Sequence, residues 1–387
     1  MTHTRSRLRA EIAALTVTRS VLTTGYRMLY PFLPVIARGL GITLEMAALA
    51  LTARSVLGFL SPLAGIAADR WGRRAILVVG TLLFLIGGLL IGAWPVLAVY
   101  FVGVLLLSAG KIMFDPSVHA YIGDRVPYEQ RGASIAIGEM AWSFAYLLGM
   151  PLVGWLIAQG GWVAPFPTLG ILALLGGLLL WRLLENDMPQ SSTTQKSRPN
   201  SLRLILRHPA VLAAISVGLL ISAGNEVVAV IFGAWLESDF GLQVVALGGA
   251  SAVIGLAELA GEGGVAIISD RLGKRRSVIY GILLNIAAGL VLPLLGRTQA
   301  GALVGLFLFF ITFEFALVAS LPLITELLPE ARGTVMAVNV AGYSAGRALG
   351  SLLGPALFGI GLLANSIAAA VLSGAGLLLL VLFIRQQ

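Results

Sequence analysis

The sequence contains no cysteine and unusually few charged residues. Without cysteine, a disulfide, a thiolate metal site and a thiol nucleophile are all excluded. Charged residues make up 11% of the 387 positions, whereas a soluble domain carries about 25%. Hydrophobic residues reach 58% and the mean hydropathy is +0.94. Polar side chains are therefore too few to cover a globule in water, and we predict an integral membrane protein.

Enzymatic residues are also scarce. The three histidines, His3, His119 and His208, are isolated in the sequence. No metal-ligand spacing, nucleophile elbow or phosphate-binding loop is present. We therefore expect no enzymatic activity, no metal and no cofactor. Without an ATP-binding motif, uphill transport must use an ion gradient, and protons are the expected energy source.

Long apolar runs dominate what is present. A helix needs about 20 apolar residues to cross the hydrocarbon core of a bilayer. Twelve runs are predicted to do so, at 11–37, 43–68, 75–94, 96–122, 132–158, 165–184, 209–236, 243–269, 277–296, 301–326, 333–360 and 362–384. The polar stretch NDMPQSSTTQKSRPNS separates the first six from the last six. The predicted domains are a six-helix bundle at 1–184, a cytoplasmic linker at 185–208 and a second six-helix bundle at 209–387.

Lysine and arginine indicate the orientation. If the N-terminus is cytoplasmic, 19 of these residues in the loops and termini lie on that side, and only Arg38 and Arg297 lie opposite. Because basic residues collect on the cytoplasmic side, both termini are predicted inside, in the inner membrane of a cell. The same rule explains the net charge of +8 without a nucleic-acid partner.

A charged motif occurs twice in the chain. Residues 65–75 read GIAADRWGRRA, and AIISDRLGKRRS begins at Ala266. Asp69 and Asp270 are 201 positions apart, as are Arg74 and Arg275. One constant offset over several motifs indicates two halves of parallel topology.

These motifs resemble those of the major facilitator superfamily, over nearly the whole chain. GIAADRWGRR resembles the loop 2–3 signature of that family, and PYEQRG and PEARG resemble its loop 4–5 and 10–11 turns. The resemblance implies an all-α membrane fold of twelve transmembrane helices in two pseudo-symmetric six-helix bundles. The drug/proton antiporter branch is the most similar, with two departures. Span 4 lacks a buried arginine near Val104, and span 5 has Gly149-Met150-Pro151 where that branch has a Gly-Pro pair.

Charged residues inside the predicted spans follow the implied fold. Away from the span ends eleven are present: Arg19, Arg27, Arg54, Lys111, Asp115, Glu139, Glu226, Glu258, Glu262, Glu314 and Arg347. None of these falls in spans 3, 6, 9 or 12, which the resemblance places on the lipid-facing outside, where a charge is costly. None is matched by a charge at the corresponding position of the other half. We therefore expect the repeated residues to form the scaffold and the unrepeated charges to carry specificity.

Substrate binding is predicted at several of these positions. Arg27 and Tyr30 share one face of span 1, where the guanidinium would bind an anionic or hydrogen-bonding group. The alternative is a structural ion pair with Glu226. The other substrate-binding candidates are Arg54, Glu226, Asn339, Tyr343 and Arg347, and for the last three, which lie in span 11, a structural role is the alternative.

Proton coupling is predicted at buried carboxyl groups. Glu258 and Glu262 are four residues apart, so two like charges would share one helix face in low dielectric. Glu226 and Glu314 are further candidates, and Arg347 is expected to neutralise one of the four. Two other carboxyl candidates lie at a similar depth to Arg19, namely Asp115 and Glu139. With Lys111 they form either a structural charge network or, together with His119, a proton relay.

The repeated loop motif is predicted to be a conformational latch. Its residues are Asp69, Arg70, Gly72, Arg73 and Arg74, with Asp270 and Arg275 in the second half. Gly72 would permit the tight turn, and the basic residues would hold the loop on the cytoplasmic side. The resemblance implies that Asp69 interacts with the start of span 11. Asp69→Asn is expected to weaken transport without abolishing ligand binding.

The sequence thus predicts a secondary transporter that works by alternating access. Its expected partners are a small-molecule substrate, protons and the lipid bilayer, and it is expected to be a monomer. Proton-coupled efflux of amphipathic small organic molecules, of the multidrug type, is the favoured function. Transport of an organic anion or sugar, or flipping of a lipid with a polar headgroup, are the alternatives. A non-transport membrane sensor is disfavoured, because buried charges are costly without a pathway to serve.

Overall fold

The computed structural model describes residues 2–126, 128–185, 201–328 and 332–384, and no strand occurs within these ranges. The helices, labelled in chain order, are α1 (Thr2–Arg27), α2 (Leu29–Leu40), α3 (Leu44–Leu57), α4 (Ser61–Trp71), α5 (Arg73–Ala93), α6 (Leu97–Arg125), α7 (Tyr128–Phe144), α8 (Met150–Gly160), α9 (Pro165–Leu183), α10 (Ser201–Leu206), α11 (Pro209–Ala229), α12 (Phe232–Phe240), α13 (Val244–Leu272), α14 (Lys274–Leu295), α15 (Gln299–Leu327), α16 (Arg332–Phe358) and α17 (Leu362–Phe383). A 3₁₀ turn, Gly58–Leu60, joins α3 to α4, and a π-helical turn, Ala145–Gly149, joins α7 to α8.

Helices occupy all twelve predicted spans. Within the described ranges, nine helical segments are long and apolar enough to cross a membrane, and they coincide with spans 3 to 10 and span 12. Spans 1 and 2 are each divided into two helices, and span 11 is the single helix α16. The all-α membrane fold predicted from the sequence is confirmed.

Several spans are interrupted rather than continuous. Span 1 breaks at Met28, between α1 and α2. Pro31 has no N–H to bond the carbonyl of Arg27 four residues earlier, so the regular hydrogen-bond ladder cannot continue there. Span 7 breaks between Ala229 and Phe232, close to the position that the repeat offset relates to Met28. Broken helices of this kind place polar groups at membrane depth.

The chain separates into two compact units. Unit 1 comprises residues 1–42, 57–194 and 244–252, and unit 2 comprises residues 43–56, 195–243 and 253–387. The division at 184 and 209 expected from the sequence stays a prediction.

Within unit 2, α11 and α16 pack through a ladder of glycines. The ladder has a glycine every four residues, at Gly342, Gly346, Gly350 and Gly354. A Cβ atom built on Gly346 would lie 2.1 Å from the carbonyl oxygen of Leu219, and one on Gly350 would lie 2.5 Å from Cβ of Glu226. Because every larger residue would collide with α11, the close approach of these helices depends on glycine.

Candidate functional site

An ion network joins three helices inside unit 1. Arg19 on α1 is only 2% exposed. Its Nε donates to Oδ1 of Asp115 on α6 at 3.1 Å, and its Nη1 donates to Oε1 of Glu139 on α7 at 2.8 Å. The same Nη1 also donates to the carbonyl oxygen of Gly138 at 2.9 Å. The guanidinium therefore holds α1 against both α6 and α7.

Lys111 extends the network along α6. Its Nζ donates to Oδ2 of Asp115 at 2.8 Å and to Oγ1 of Thr23 at 3.0 Å. Asp115 thus lies between two buried cations, one on α1 and one on its own helix. Arg19, Asp115 and Glu139, which the sequence places at one depth, are thus linked to one another and to Lys111 by direct contacts. Their role, as a structural charge network or a proton relay, stays a prediction.

The network ends at a partly exposed pair. Nε2 of His119 lies 2.6 Å from Oε1 of Glu139, and the side chains are 44% and 33% exposed. Glu139 therefore contacts the buried Arg19 on one side and the partly exposed imidazole of His119 on the other.

Arg27 lies against aromatic rings of span 5. Its Cζ is 4.8 Å from the ring centroid of Trp142 and 4.3 Å from that of Tyr146, which are cation–π distances. Its Nη1 also donates to the carbonyl oxygen of Trp142 at 3.3 Å. Nζ of Lys111 lies 4.4 Å from the same indole ring, and Tyr26 packs edge-on to that ring at 6.4 Å. We call Tyr26, Arg27, Lys111, Trp142 and Tyr146 the cation–aromatic box.

The π-helical turn shapes this box. Tyr146 lies within the turn and Trp142 lies just before it. At the end of the turn, a Cβ atom on Gly149 would lie 2.2 Å from Oγ1 of Thr24, so α1 approaches the backbone closely here. A π-helical turn inserts one extra residue into a helix and is frequent at functional sites.

The sequence analysis did not select Tyr26, Trp142 or Tyr146 as site residues. A usable signal was present, because Glu139, Trp142 and Tyr146 follow the spacing i, i+3, i+7 and share one helix face. The predicted site residue Tyr30 is buried on α2, beyond the break in span 1, and Arg54 is buried on α3. Their assignment to substrate stays a prediction.

In unit 2, the predicted site residues lie along α11 and α16. Glu226 is buried, and its Oε1 accepts a hydrogen bond of 2.7 Å from Oγ of Ser351. Asn339 and Tyr343 are also buried and pack on α11, where a Cβ atom on Gly218 would lie 3.0 Å from Oδ1 of Asn339 and 2.5 Å from Cε1 of Tyr343.

Two other polar groups of unit 2 lie on α15 and further along α16. The hydroxyl oxygens of Tyr343 and Ser320 are 3.3 Å apart. Arg347 lies one helical turn beyond Tyr343 and is partly exposed.

Three predicted proton-coupling residues lie on α13 and α15. A Cβ atom on Gly261 would lie 2.9 Å from Cβ of Glu314, so the two helices are in close contact at this glutamate. Glu258 and Glu262 flank Gly261 in the sequence. Glu258 is buried, whereas Glu262 and Glu314 are partly exposed. Within the described ranges, no group of three or more His, Cys, Asp or Glu residues could hold a metal ion.

The repeated loop motif makes equivalent turns in both units. Gly72 and Gly273 have φ values of +89° and +83°, a conformation that favours glycine. Arg70 is exposed. The side chains of Asp69 and Asp270 lie outside the part of the chain that the structure describes, so their latch role stays a prediction.

The basic residues of the motif are tied to their own unit. Nε of Arg73 donates to Oδ2 of Asp124 at the end of α6 (3.3 Å), and Lys274 is paired with Glu326 at the end of α15. In each motif, the arginine that follows this residue contacts the C-terminal end of another helix of the same unit. Arg74 stacks on Trp181 of α9 at 3.9 Å, and Nε of Arg275 donates to the carbonyl oxygen of Ile384 after α17 at 2.6 Å.

A second cluster of charges ties the ends of α1, α6 and α9 in unit 1. The buried Glu11 accepts a hydrogen bond of 3.0 Å from the hydroxyl of Tyr121. Arg7 contacts both Glu11 (3.2 Å) and Glu185 (3.1 Å), and Arg125 contacts Glu185 at 2.7 Å. The sequence analysis missed Glu11, although an acidic residue among basic ones at the start of a span was a visible signal.

Known proteins resemble this chain in sequence. An uncharacterised MFS-type transporter of Bacillus subtilis, YceJ, is 26% identical over 345 residues, which cover 87% of this chain and 86% of YceJ. Multidrug resistance protein 2 of Bacillus subtilis is 25% identical over 320 residues, covering 78% of this chain and 75% of that protein.

The fold also resembles solved structures. A bacterial homologue of the human lysosomal transporter Spinster superposes with a TM-score of 0.73 at 16% identity, covering 98% of this chain and 95% of that one. The model of the Major Facilitator Superfamily matches residues 15–351. The chain therefore belongs to the Major Facilitator Superfamily, a family of multi-pass membrane transporters.

Proposed function

We propose that the chain is a proton-coupled exporter of amphipathic small organic molecules. The observation that carries the proposal is the ion network of unit 1, which leads from the exposed His119–Glu139 pair through Arg19 to Asp115 and Lys111. A transporter without an ATP-binding motif needs titratable groups that reach from water into the membrane interior. The network has this form, and Lys111 connects it to the cation–aromatic box.

Glu139 is the proposed proton-exchanging group of unit 1. Asp115 is less suited, because its protonation would remove the charge of the carboxylate that contacts both buried cations, Arg19 and Lys111. Glu139 shares its contacts between the buried Arg19 and the partly exposed His119, so a change in its protonation would alter the network. The carboxyl groups of unit 2, at Glu226, Glu258, Glu262 and Glu314, are further candidates for the same coupling.

Two arguments support export in exchange for protons: the direction of the proton gradient and the similarity to known transporters. A bacterial inner membrane holds a proton gradient directed inward, so the exchange of entering protons for substrate expels the substrate. Multidrug resistance protein 2, which shares 25% identity with this chain, supports an amphipathic substrate. In this proposal the transporter is a monomer with both termini in the cytoplasm, and it needs no cofactor besides the gradient.

Reconstituted protein provides the test. Proteoliposomes with an acidic lumen are given labelled ethidium, rhodamine 6G or 2-naphthoate, with and without the pH gradient. We expect gradient-dependent accumulation of at least one probe by the unmodified protein. Glu139→Gln is expected to keep counterflow exchange of that probe but to lose most of its gradient-driven accumulation.

The control is Glu45→Gln, which removes an exposed carboxylate at the start of α3. It should accumulate the probe like the unmodified protein. Full accumulation by Glu139→Gln would refute the role of Glu139, and equal uptake with and without the gradient would refute proton coupling. Absence of uptake of every probe would favour the non-transport alternative.

A further inference from the structure

We propose that the ends of α4 and α9, together with the start of α5, bind a phospholipid with an anionic headgroup. The binding surface lies within unit 1, and we call it the arginine–tryptophan patch. It consists of Arg70, Trp71, Arg74, Trp181 and Arg182. The patch shares no residue with the ion network or the cation–aromatic box. Lipid binding requires neither a substrate nor a proton gradient, so this inference does not depend on the proposed function.

A stacked pair of side chains joins the two parts of the patch. Cζ of Arg74, in the first turn of α5, lies 3.9 Å from the ring centroid of Trp181, in the last turn of α9. Trp71 is the last residue of α4 and precedes Arg74 by three positions. Three residues of chain span at most about 11 Å. The two indole rings therefore belong to one region of the protein surface.

Both indole rings are exposed at the ends of membrane spans. Trp71 is 61% exposed and Trp181 is 48% exposed. In membrane proteins, tryptophan is enriched at the boundary between the hydrocarbon core and water, at the level of the lipid headgroups. The two rings therefore mark the depth at which the patch meets headgroups.

The charge of the patch favours an anionic headgroup. Arg70 and Arg182 adjoin the two tryptophans in the sequence, and both side chains are exposed. Counting Asp69, which precedes Arg70, the region has three arginines and one carboxylate. Basic residues at a membrane surface attract anionic lipids. A net anionic headgroup is therefore favoured over a zwitterionic one.

The apolar surface next to the patch favours a lipid over a water-soluble anion. Leu175 and Leu178 on α9 are 56% and 50% exposed. With Arg182 they follow the spacing i, i+3, i+7, so the three residues share one helix face. A lipid whose headgroup contacts Arg182 can therefore lay an acyl chain along these leucines. A soluble anion would use only the arginines and leave this apolar face uncovered.

Unit 2 lacks the features that define the patch. The residues 201 positions later are Arg271, Leu272, Arg275, Leu382 and Phe383. Both tryptophans and Arg182 are thus replaced by apolar residues. Arg275 donates to the carbonyl oxygen of Ile384 at 2.6 Å, whereas its counterpart Arg74 stacks on an indole ring. The repeated scaffold therefore does not require the patch, and we expect the lipid preference in unit 1 only.

Quenching of tryptophan fluorescence by brominated lipids tests the proposal, because bromine quenches only rings that it contacts. The full chain is placed in phosphatidylcholine nanodiscs in which a tenth of the lipid is brominated, as phosphatidylglycerol or as phosphatidylcholine. Comparison with Trp71→Phe/Trp181→Phe gives the emission of the two patch tryptophans. We expect the brominated phosphatidylglycerol to quench this emission at least twofold more strongly. Equal quenching by the two lipids would overturn the proposal.

Trp94 is the control ring in the same protein, because it is 61% exposed and directly follows the other end of α5. Its emission, obtained from Trp94→Phe, should be quenched equally by both lipids. An equal preference for phosphatidylglycerol at Trp94 would show that the anionic lipid is not located at the patch.

Arginine variants connect the lipid preference to charge. Arg70→Gln/Arg182→Gln should reduce the ratio of quenching by the two lipids at the patch to about one. The matched control is Arg271→Gln/Arg276→Gln, which removes two exposed arginines from unit 2 and should leave the ratio unchanged. An unchanged ratio in Arg70→Gln/Arg182→Gln would refute the role of the arginines, and the lipid comparison in the unmodified protein does not depend on how any variant folds.

Discussion

Helix α1 of unit 1 and helix α11 of unit 2, which the repeat offset relates to each other, are packed in different ways. In unit 1, α1 is held to α6 and α7 by the buried charges of Arg19, Asp115 and Glu139. In unit 2, α11 is held to α16 by the glycine ladder, in which backbone lies almost directly on backbone. The two halves share a topology, yet one interface is ionic and the other is made of small residues.

The repeat offset explains this difference. Positions 342, 346, 350 and 354 are all glycine, and the positions 201 residues earlier are Ala141, Ala145, Gly149 and Val153. Of these four positions in unit 1, only 149 is glycine. The π-helical turn begins at one of the other three, Ala145. The interface of α1 with span 5 therefore lacks a continuous glycine ladder, and it is the interface that contains the ion network and the box.

Removing the central carboxylate of unit 1 should have the largest effect on stability. Asp115→Asn leaves Arg19 and Lys111 buried with one negative charge fewer. Breaking a buried ion pair by removing one partner costs about 3–5 kcal/mol. We expect a decrease of this size in the free energy of unfolding, measured by SDS titration in mixed micelles.

A double variant is the control for this prediction. Lys111→Met together with Asp115→Asn removes one charge of each sign and leaves Arg19 paired with Glu139. It should be more stable than Asp115→Asn alone. If the single variant unfolds like the unmodified protein, the network does not hold α1, and the contrast between the two interfaces is lost.

Breaking the glycine ladder should have the next largest effect. Gly346→Ala places a Cβ atom 2.1 Å from a backbone oxygen of α11, and overpacking of this kind costs about 1–3 kcal/mol. Gly374→Ala on α17 is the control, since no atom lies within 4 Å of its Cβ position. Thermal unfolding in nanodiscs would compare the two, and equal unfolding temperatures would show that α16 moves away without cost.

Much of this architecture was predictable from the sequence. The apolar runs located the twelve spans, and the depth of Arg19, Asp115 and Glu139 along their helices predicted one network. The glycine ladder was visible as four glycines at a spacing of four, although no prediction was drawn from it. Such patterns depend only on the spacing of residues along one helix, so helical geometry is enough to predict which residues share a face.

The cation–aromatic box could not be predicted in the same way. Its geometry depends on the π-helical turn at Ala145–Gly149, which shifts the face of span 5 by one residue and has no sequence signal of its own. The break in span 1 also places Arg27 at the end of α1, whereas the predicted partner Tyr30 belongs to α2. Counting helical periodicity through this break assigned Arg27 and Tyr30 to one helix face, although they belong to two separate helices.

Removing the hydroxyl that binds Glu226 should have a smaller effect. Ser351→Ala deletes the hydrogen bond of 2.7 Å to this buried carboxyl group. Hydrogen bonds between membrane helices contribute on average about 0.6 kcal/mol and at most about 1.7 kcal/mol, so we expect a loss of about 1 kcal/mol for this buried carboxyl acceptor. SDS titration checks the value, with Ser344→Ala on the partly exposed part of α16 as control. A loss as large as that of Asp115→Asn would mean that unit 2 also depends on ionic contacts.

The smallest effects are expected where the two units are alike. Arg73 and Lys274 occupy equivalent positions, and each is paired with an acidic residue at the end of α6 or α15. Exposed pairs of this kind contribute about 0.2–1 kcal/mol. Arg73→Gln and Lys274→Gln should therefore each lower the unfolding free energy by less than 1 kcal/mol, by similar amounts, and 0.5 M salt should reduce both effects. A motif that has the same structural role in both units is expected to stabilise both by similar amounts. A much larger loss of unfolding free energy for only one of the two variants would therefore mean that the repeated motif has different roles in the two units.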